Sequence, residues 1–533
     1  MTGGILRKVR CGVRFPAWSI ICFCATLLLN ASTAETAAAA GKLLLKVVDA
    51  KSNLPVPFRL HLKNEKGIAV KVPKLPFWHD HVVVPGSVQL ELFRGNYFFE
   101  IEHGLEYQTA SGYFTINDGA DDEKVVALKR IVEMEAGDWW GGDLDLRRPA
   151  REIELAMQAD DLHVAPLTTW SNRRSDWTKV KPPKELTKTF DGNRFYNVMA
   201  GSDERNGGPL GLFNLEQPSP LTDVAASVPA SAGGESLLPL LPKLAELKEA
   251  NPKLWVDVAH PAAWDLPMLL AARQVDSYRV LPPYLQRDKV DVAWQGRPLD
   301  KSLYRGNEGP ARFAQDVYFH MLNCGLRVQP SAGSGSGAVG NPVGYNRVYV
   351  WVEKDSLNYD EWWKSYQAGL ATVTNGPLIQ PRANRHKPGY VFPGQAGTPV
   401  TIDIAMDLAT RDPIDYVEVI QNGKTVHNVA LRDWAKEGGR FPTTVFHESG
   451  WLLIRAACRN PKTYRMAMSA PWYVEFDEKP RMSRSSAQFF LDWLEERAAT
   501  LKIADPKQRE AAEAQITEAR AYWRKLVDTA NAP

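Results

Sequence analysis

The chain has 533 residues, with 64 Lys and Arg against 62 Asp and Glu for a formal charge of +2. That length exceeds what one hydrophobic core holds, so three or four domains are expected. No basic stripe interleaved with aromatics accompanies the near-neutral charge, which leaves nothing to argue for nucleic-acid binding.

Residues 1–34 read as an export signal. Arg7, Lys8, Arg10 and Arg14 precede the apolar run AWSIICFCATLLL, and small residues follow for cleavage. The run is shorter than the roughly 20 apolar residues of a membrane helix. Cleavage and export to the periplasm or cell exterior are therefore expected, with no integral membrane segment in the mature chain. Cleavage would take the formal charge from +2 to −2 and remove Cys11, Cys22 and Cys24, leaving Cys324 and Cys458 in apolar contexts as two buried free thiols.

Residues 41–130 alternate apolar and polar positions in KLLLKVVDA, PFRLHLKN, SVQLELF, NYFFEIEHG and SGYFTIND. Turn residues separate them, which predicts a small antiparallel β-sandwich, one that resembles carboxypeptidase regulatory-like domains. His79 and His81 in PFWHDHVVVPG would share a side of a strand and could share a metal, although a loop entering an edge strand explains them as well.

From 137 to 395 strand-like runs (VAPLTTW, LWVDVAH, DSYRVLP, RVQPSAG, NRVYVWV) alternate with helical ones (AREIELAMQADD, LPKLAELKEA, GPARFAQDVYFHMLN). This predicts βα units around a mostly parallel sheet or a TIM-like barrel. Residues 217–235 form a Pro/Ala/Ser/Gly surface insertion. A second β-sandwich is expected over 396–478, with an Asn422-Gly423 hairpin, and a helical tail over 483–529, where Asp505 caps a helix opened by Pro506.

Gly335 to Gly340 satisfies GxGxxG, but a strand follows it, so no helix N-terminus is available for a pyrophosphate. GxSxG, HExxH and paired CxxC motifs are absent. The informative stretch is WWGGDLDLRRP, Trp139 to Pro149. It ends a strand just before a helix, where βα barrels keep their chemistry, and alternation predicts that Asp143, Asp145 and Arg147 face one side, into the mouth. Arg147 offers no lone pair to a metal. His163 and His320 read as hydrogen-bonded structural histidines, His260 as lining the mouth, and Tyr345, Asn346, Arg347 and Asn375 as residues of strand-end turns at the mouth.

The run from WWGGDLDLRRP through LHVAPLTTWSN, with SDERNGGPLGLFNL, RFAQDVYFHMLNCGLRVQPSAGSGSGAVGNPVGYNRVYV, TNGPLIQP and SAQFFLDWLEERA, resembles the CehA/McbA metallohydrolases of the PHP (polymerase and histidinol phosphatase) superfamily. The resemblance covers nearly all of the mature chain. It implies a distorted βα barrel between sandwiches, a metal cluster at the barrel mouth, and hydrolysis of ester, carbamate or phosphoester bonds by metal-bound water. The family's metal positions are filled differently here. Asp145 and Arg147 stand for its two histidines, Ser202 for an acidic residue, Ala259 for a glutamate and Tyr284 for a histidine.

Three expectations follow. The first is a pseudoenzyme without cofactor that binds a saccharide or small anionic ligand, or serves structurally, through Asp143, Asp145, Arg147, Asp203, Glu204, His260 and Tyr284. In it Arg147 replaces the metal charge by pairing with Asp143, Asp145 or Asp203. The second is a hydrolase with a reduced site in which Asp145, Asp203, Glu204 and His260 hold zinc, manganese or magnesium. The third is an extracellular assembly module. Substrate and oligomeric state are not legible.

Overall fold

The computed structural model describes residues 40–204, 207–221, 240–292, 296–503 and 505–533. The expected export signal at 1–34, residues 222–235 of the insertion, and Arg205 of the SDER motif lie outside the described residues. The described chain has a mixed α/β architecture with many strands and eight α-helices.

Eight strands open it: β1 (Ala40–Asp49), β2 (Phe58–Asn64), β3 (Phe77–Trp78), β4 (His81–Val84), β5 (Ser87–Phe93), β6 (Gly95–Glu102), β7 (Ala110–Ile116) and β8 (Asp121–Leu128). They form one sheet in the order β5-β1-β8 and another in the order β3-β4-β2-β6-β7. Leu45, Val47, Phe58, Leu60, Val82, Val84 and Ile101 share the core of these strands. Period-two alternation places Phe58, Leu60 and Leu62 of β2 in this core and turns Arg59 and His61 to the opposite face. The pairing is not wholly antiparallel as the sequence predicts, because β8 joins β1 in parallel. The chain reaches β8 from β7, which lies in the other sheet, so no hairpin fixes its direction.

The central part contains β9 (Trp139–Gly142), α1 (Ala150–Ala159), β10 (Val164–Ser171), β11 (Thr187–Phe190), β12 (Arg194–Asp203), β13 (Leu210–Phe213), α2 (Leu240–Ala250), β14 (Trp255–Val258), α3 (Leu266–Ala271), β15 (Ser277–Leu281), α4 (Gly309–Asn323) and β16 (Gln329–Ala332). Neighbouring strands follow the order β9-β10-β12-β13-β14-β15-β16. The β9–β10, β14–β15 and β15–β16 pairs are parallel across the helices α1, α3 and α4, and β10–β12 is parallel too, with β11 between them in sequence. β13 is antiparallel to both neighbours. Gly207-Gly208-Pro209 turns the chain back at once, with Gly208 at φ 121°, and a Cβ on Gly208 would lie 2.3 Å from the Cβ of Ala263.

Past β9 the chain continues alongside β16. Leu144 N–H donates to Ala332 O at 3.3 Å and Arg147 N–H to Ser336 O at 2.8 Å, while Leu146 bridges both Leu167 and Ser336. The segment that follows β9 is thus joined by backbone hydrogen bonds to the end of β16 and to the loop after it.

On its other edge β9 pairs with β17 (Arg347–Trp351), and the same sheet runs on through β18 (Ala371–Thr374), with α5 (Tyr359–Gln367) between those two in sequence. The remaining strands are β19 (Leu378–Ala383), β20 (Val391–Gly394), β21 (Val400–Ile402), β22 (Ile404–Ala409), β23 (Ile414–Gln421), β24 (Lys424–Val429), β25 (Thr444–Phe446), β26 (Gly450–Cys458), β27 (Arg465–Ser469) and β28 (Trp472–Phe476), with α6 (Leu431–Lys436) before β25. Because β18 pairs with β27, the hydrogen-bonded sheet is continuous from the central part into this last set of strands. Ile404, Met406, Val419, Ile454, Trp472 and Val474 form a second core there. Asn422 and Gly423 have φ of 52° and 84°, as the two-residue turn between β23 and β24 demands.

The tail is α7 (Arg484–Thr500) and α8 (Pro506–Asp528). Asp505 caps α8 by accepting the Gln508 amide at 2.8 Å. Phe490, Trp493 and Trp523 are buried, and Trp523 Nε1 donates to Pro267 O of α3 at 3.0 Å. The tail therefore packs on the central part. Among the described residues no helix is long and apolar enough to cross a membrane. Cys324 and Cys458 are buried and unbridged, and burial pushes the Cys458 thiol up to about 11. Trp523→Ala should cost about 3–5 kcal/mol, the usual range for a buried tryptophan. Protease cleavage within α8 at temperatures where the parent resists is the readout.

Candidate functional site

The parallel strands deliver their C-terminal ends to one side, and the segment after β9 crosses it. Asp143 is fully buried, and its carboxylate accepts the amides of Asp145 at 3.0 Å, Ser334 at 2.9 Å and Gly344 at 2.8 Å. Burial raises its pKa to about 6, against the pull of these hydrogen bonds. Capture of the Asp145 amide by the Asp143 side chain bends the chain at Leu144. The strand alternation predicted from sequence is broken there. Asp143 ties down the loop after β16 and does not pair with Arg147.

Asp145 divides its carboxylate between two guanidiniums. Oδ2 accepts Arg279 Nη1 at 2.9 Å, and Oδ1 accepts Arg147 Nε at 3.3 Å. Arg279 lies on β15 and is 1% exposed. Its Nη2 donates to Leu144 O at 3.2 Å and to the carboxylate of Asp257 on β14. Asp257 also accepts the hydroxyls of Ser277, at 2.7 Å, and Ser331, and Ser277 Oγ accepts Trp255 Nε1 at 2.8 Å. Toward solvent, Arg147 Nη1 donates to Glu204 Oε1 at 2.6 Å, and the Glu204 amide donates to Asn172 Oδ1 at 3.2 Å.

Charges of alternating sign thus run Asp257, Arg279, Asp145, Arg147, Glu204 from core to surface. Burial opposes the Arg279 charge, but Asp257 and Asp145 outweigh it and hold the guanidinium above its usual pKa. Asp145 does the same for Arg147, against desolvation and with help from Glu204. Gly333 makes room for the cluster, since a Cβ there would sit 2.5 Å from Asp145 Cβ and 2.7 Å from Arg279 Nη1.

The other sequence-predicted positions are distributed around these strand ends. Ser202 and Asp203 end β12 and are buried, opposite Gly211 and Leu210 of β13. Ala259 follows β14 and donates its amide to Pro209 O at 3.1 Å. His260 Nδ1 accepts the Ala262 amide at 3.2 Å, and burial pushes the imidazole down to about 4. Tyr284 is a correction. Its buried hydroxyl donates to Pro310 O of α4 at 3.1 Å, because a buried phenol needs a partner, so it does not present a free donor at the mouth.

Asn346 and Asn375 are also corrections, being buried clamps on backbone. Asn346 Nδ2 donates to Pro282, Leu285 and Gly333 carbonyls, and Asn375 Nδ2 to Tyr464 O. Arg347 is buried and donates to the carbonyls of Gly344, Asp160 and Asp161, and Tyr345 is buried beside Arg465. His163 is buried against Glu135 at 2.9 Å, and His320 meets Ser486 Oγ at 2.9 Å and stacks on Phe489. His79 is exposed in the β3–β4 turn at φ 51°, so it does not share a strand face with His81.

Three of the four residues expected to hold a metal in a reduced site have ligand atoms already engaged. Both Asp145 oxygens accept from guanidiniums, Glu204 Oε1 accepts from Arg147, and His260 Nδ1 is taken by a backbone amide. Arg279 and Asp257 were not singled out in the sequence. Each is one charge inside a short apolar strand, SYRVL and WVDV, and such charges need partners across neighbouring strands.

No protein-family model matches the chain, and no curated protein matches it. One solved structure, a Bacteroides uniformis β-glucuronidase, aligns with 85% of this chain at 11% identity with a TM-score of 0.13. The chain spans 59% of that protein's length, and a likeness this low carries no argument.

Two outcomes follow. Arg279→Met should destabilise by about 3–5 kcal/mol, because it leaves buried carboxylates uncompensated, whereas Arg147→Ala, at the solvent edge, should cost about 1 kcal/mol. Denaturant midpoints of the two variants give the comparison. His260 takes up its proton near pH 4 when folded but near 6.5 when unfolded, so its contribution to stability is full above 6.5 and falls as pH drops toward 4. Over that window the decline in melting temperature should be shallower in His260→Asn than in the parent.

Proposed function

We propose that the central part is a distorted βα barrel of the PHP type in an exported CehA/McbA-like protein, and that it binds a ligand without metal-dependent hydrolysis. Supporting the barrel are the strand series from β9 to β16, the intervening helices α1 to α4, and the backbone hydrogen bonds that join the Leu144–Arg147 segment to Ala332 and Ser336. The observation that carries the functional reading is the Asp257–Arg279–Asp145–Arg147–Glu204 series. Lone pairs that a hydrolase would give to a divalent ion are given to guanidiniums.

The ligand class follows from the same pairing. Among the described residues Arg279 and Arg147 already face carboxylates, so an added anion gains little from them. A guanidinium and a carboxylate side by side, with Asn172 adjoining Glu204, offer donors and acceptors to a neutral polyhydroxylated molecule. A saccharide is the class we assign.

The experiment compares metal content and hydrolysis of p-nitrophenyl esters and phosphodiesters in the parent and Asp145→Asn, together with binding to an array of neutral saccharides. Expected are no Asp145-dependent metal, no Asp145-dependent hydrolysis, and saccharide binding that Arg147→Ala weakens. A divalent ion and an activity that both vanish in Asp145→Asn would overturn the reading.

A further inference from the structure

β2 and β4 pair antiparallel with Leu60 opposite Val82, so the next step of the register sets His61 across from His81. Both project from the face opposite the sandwich core, and their rings lie 5.0 Å apart. The two-residue turn His79-Asp80 between β3 and β4 returns the Asp80 carboxylate between the imidazoles. Asp80 Oδ2 lies 3.1 Å from His61 Nδ1, and Oδ1 lies 3.2 Å from His81 Nδ1. We propose that His61, Asp80 and His81 bind a divalent metal of the zinc class.

Geometry is the first support. Tetrahedral zinc with ligands at about 2.0–2.1 Å sets them about 3.3 Å apart, and the two contacts seen, hydrogen bonds from the imidazoles to different Asp80 oxygens, are of a length that a metal could replace. One potential ligand atom from each residue lies within 4.8 Å of the others. Two imidazoles and one carboxylate are a zinc-type donor set, whereas magnesium and calcium prefer all-oxygen sites. The Asp80 side chain is 19% exposed, which leaves a solvent-facing side for a fourth ligand.

Charge is the second support. Both imidazoles are buried and face one carboxylate, so the set offers a divalent ion two ring nitrogens and one negative charge. Among the described residues no lysine or arginine pairs with Asp80. Nearby Arg59 is committed to Glu102 and Asp160, and Arg287 to Glu100, Glu102 and Asp288. The second cluster of this type, Glu135, Asp161 and His163, differs because Arg194 and Arg130 already face Asp161.

Bound metal would staple β2 to the β3–β4 hairpin, and that hairpin braces the strand-end side of the central part. Trp78 Nε1 donates to Val339 O at 2.8 Å, and the Arg148 guanidinium stands 4.8 Å over the Trp78 ring. The staple thus supports the residue next to Arg147.

The test strips the purified protein with chelator, adds zinc, desalts it, and measures retained metal and melting temperature. One equivalent should be retained with a raised melting temperature. Asp80→Asn and His81→Gln should lose both effects, while Glu135→Gln and Asp145→Asn keep them, which separates this site from any metal at the mouth. No zinc on the parent, or equal zinc on Asp80→Asn and His81→Gln, overturns the proposal. Should those variants fail to fold by circular dichroism, cobalt substitution of the parent decides. A visible d–d band without thiolate charge transfer, displaced by zinc, supports the site, and its absence overturns it.

Discussion

Arg279 is a guanidinium almost completely removed from water, held between Asp145 and Asp257 on neighbouring parts of the sheet. Such a charge survives only if its carboxylates and hydrogen-bond partners are fixed in place. Much of the central architecture meets that requirement. β14 and β15 run parallel so that Asp257 and Arg279 meet, Ser277 and Ser331 fill the remaining acceptor sites of Asp257, and the bend after β9 brings Asp145 and the Leu144 carbonyl to the same fork. Gly333 leaves the space in which these groups meet.

From that centre the polarity of the site follows. One Asp145 oxygen faces the buried arginine and the other faces Arg147, which passes the alternation on to Glu204 at the solvent edge. The arrangement is electrostatically closed before any ligand arrives. In this pairing, on which the proposed ligand binding rests, three carboxylates share two guanidiniums. The Asp80 cluster is the opposite case, since the carboxylate there contacts two imidazoles and, among the described residues, no arginine forms an ion pair with it, Arg59 and Arg287 acting on the cluster only at longer range. Similar side chains therefore lead to different chemistry, according to whether a resident cation completes the set.

Some of this could be read from residue order and some could not. The helix of GPARFAQDVYFHMLN, the Asn422-Gly423 turn and the Asp505 cap depend on local spacing and backbone preference, and they occur where local rules put them. The position of Asp145 and Arg147 at a strand end was legible for the same reason. The facing of Asp143 was not, because a side-chain hydrogen bond to the Asp145 amide overrode strand alternation. Tyr284, Asn346 and Asn375 have the polar character of site residues, yet they spend it on backbone carbonyls of other segments.

By itself the sequence determined the periodicities, turns and caps, and the place of Arg147 two residues after Asp145 beyond a strand end, since these depend on residues close in the chain. Only the tertiary structure decided which charges meet. Asp145 and Arg279 are 134 residues apart, and His61 lies on β2 whereas Asp80 lies in the turn between β3 and β4. Pairing of buried charges is a matter of a few ångströms of distance and of removal from water, and neither is written in local sequence.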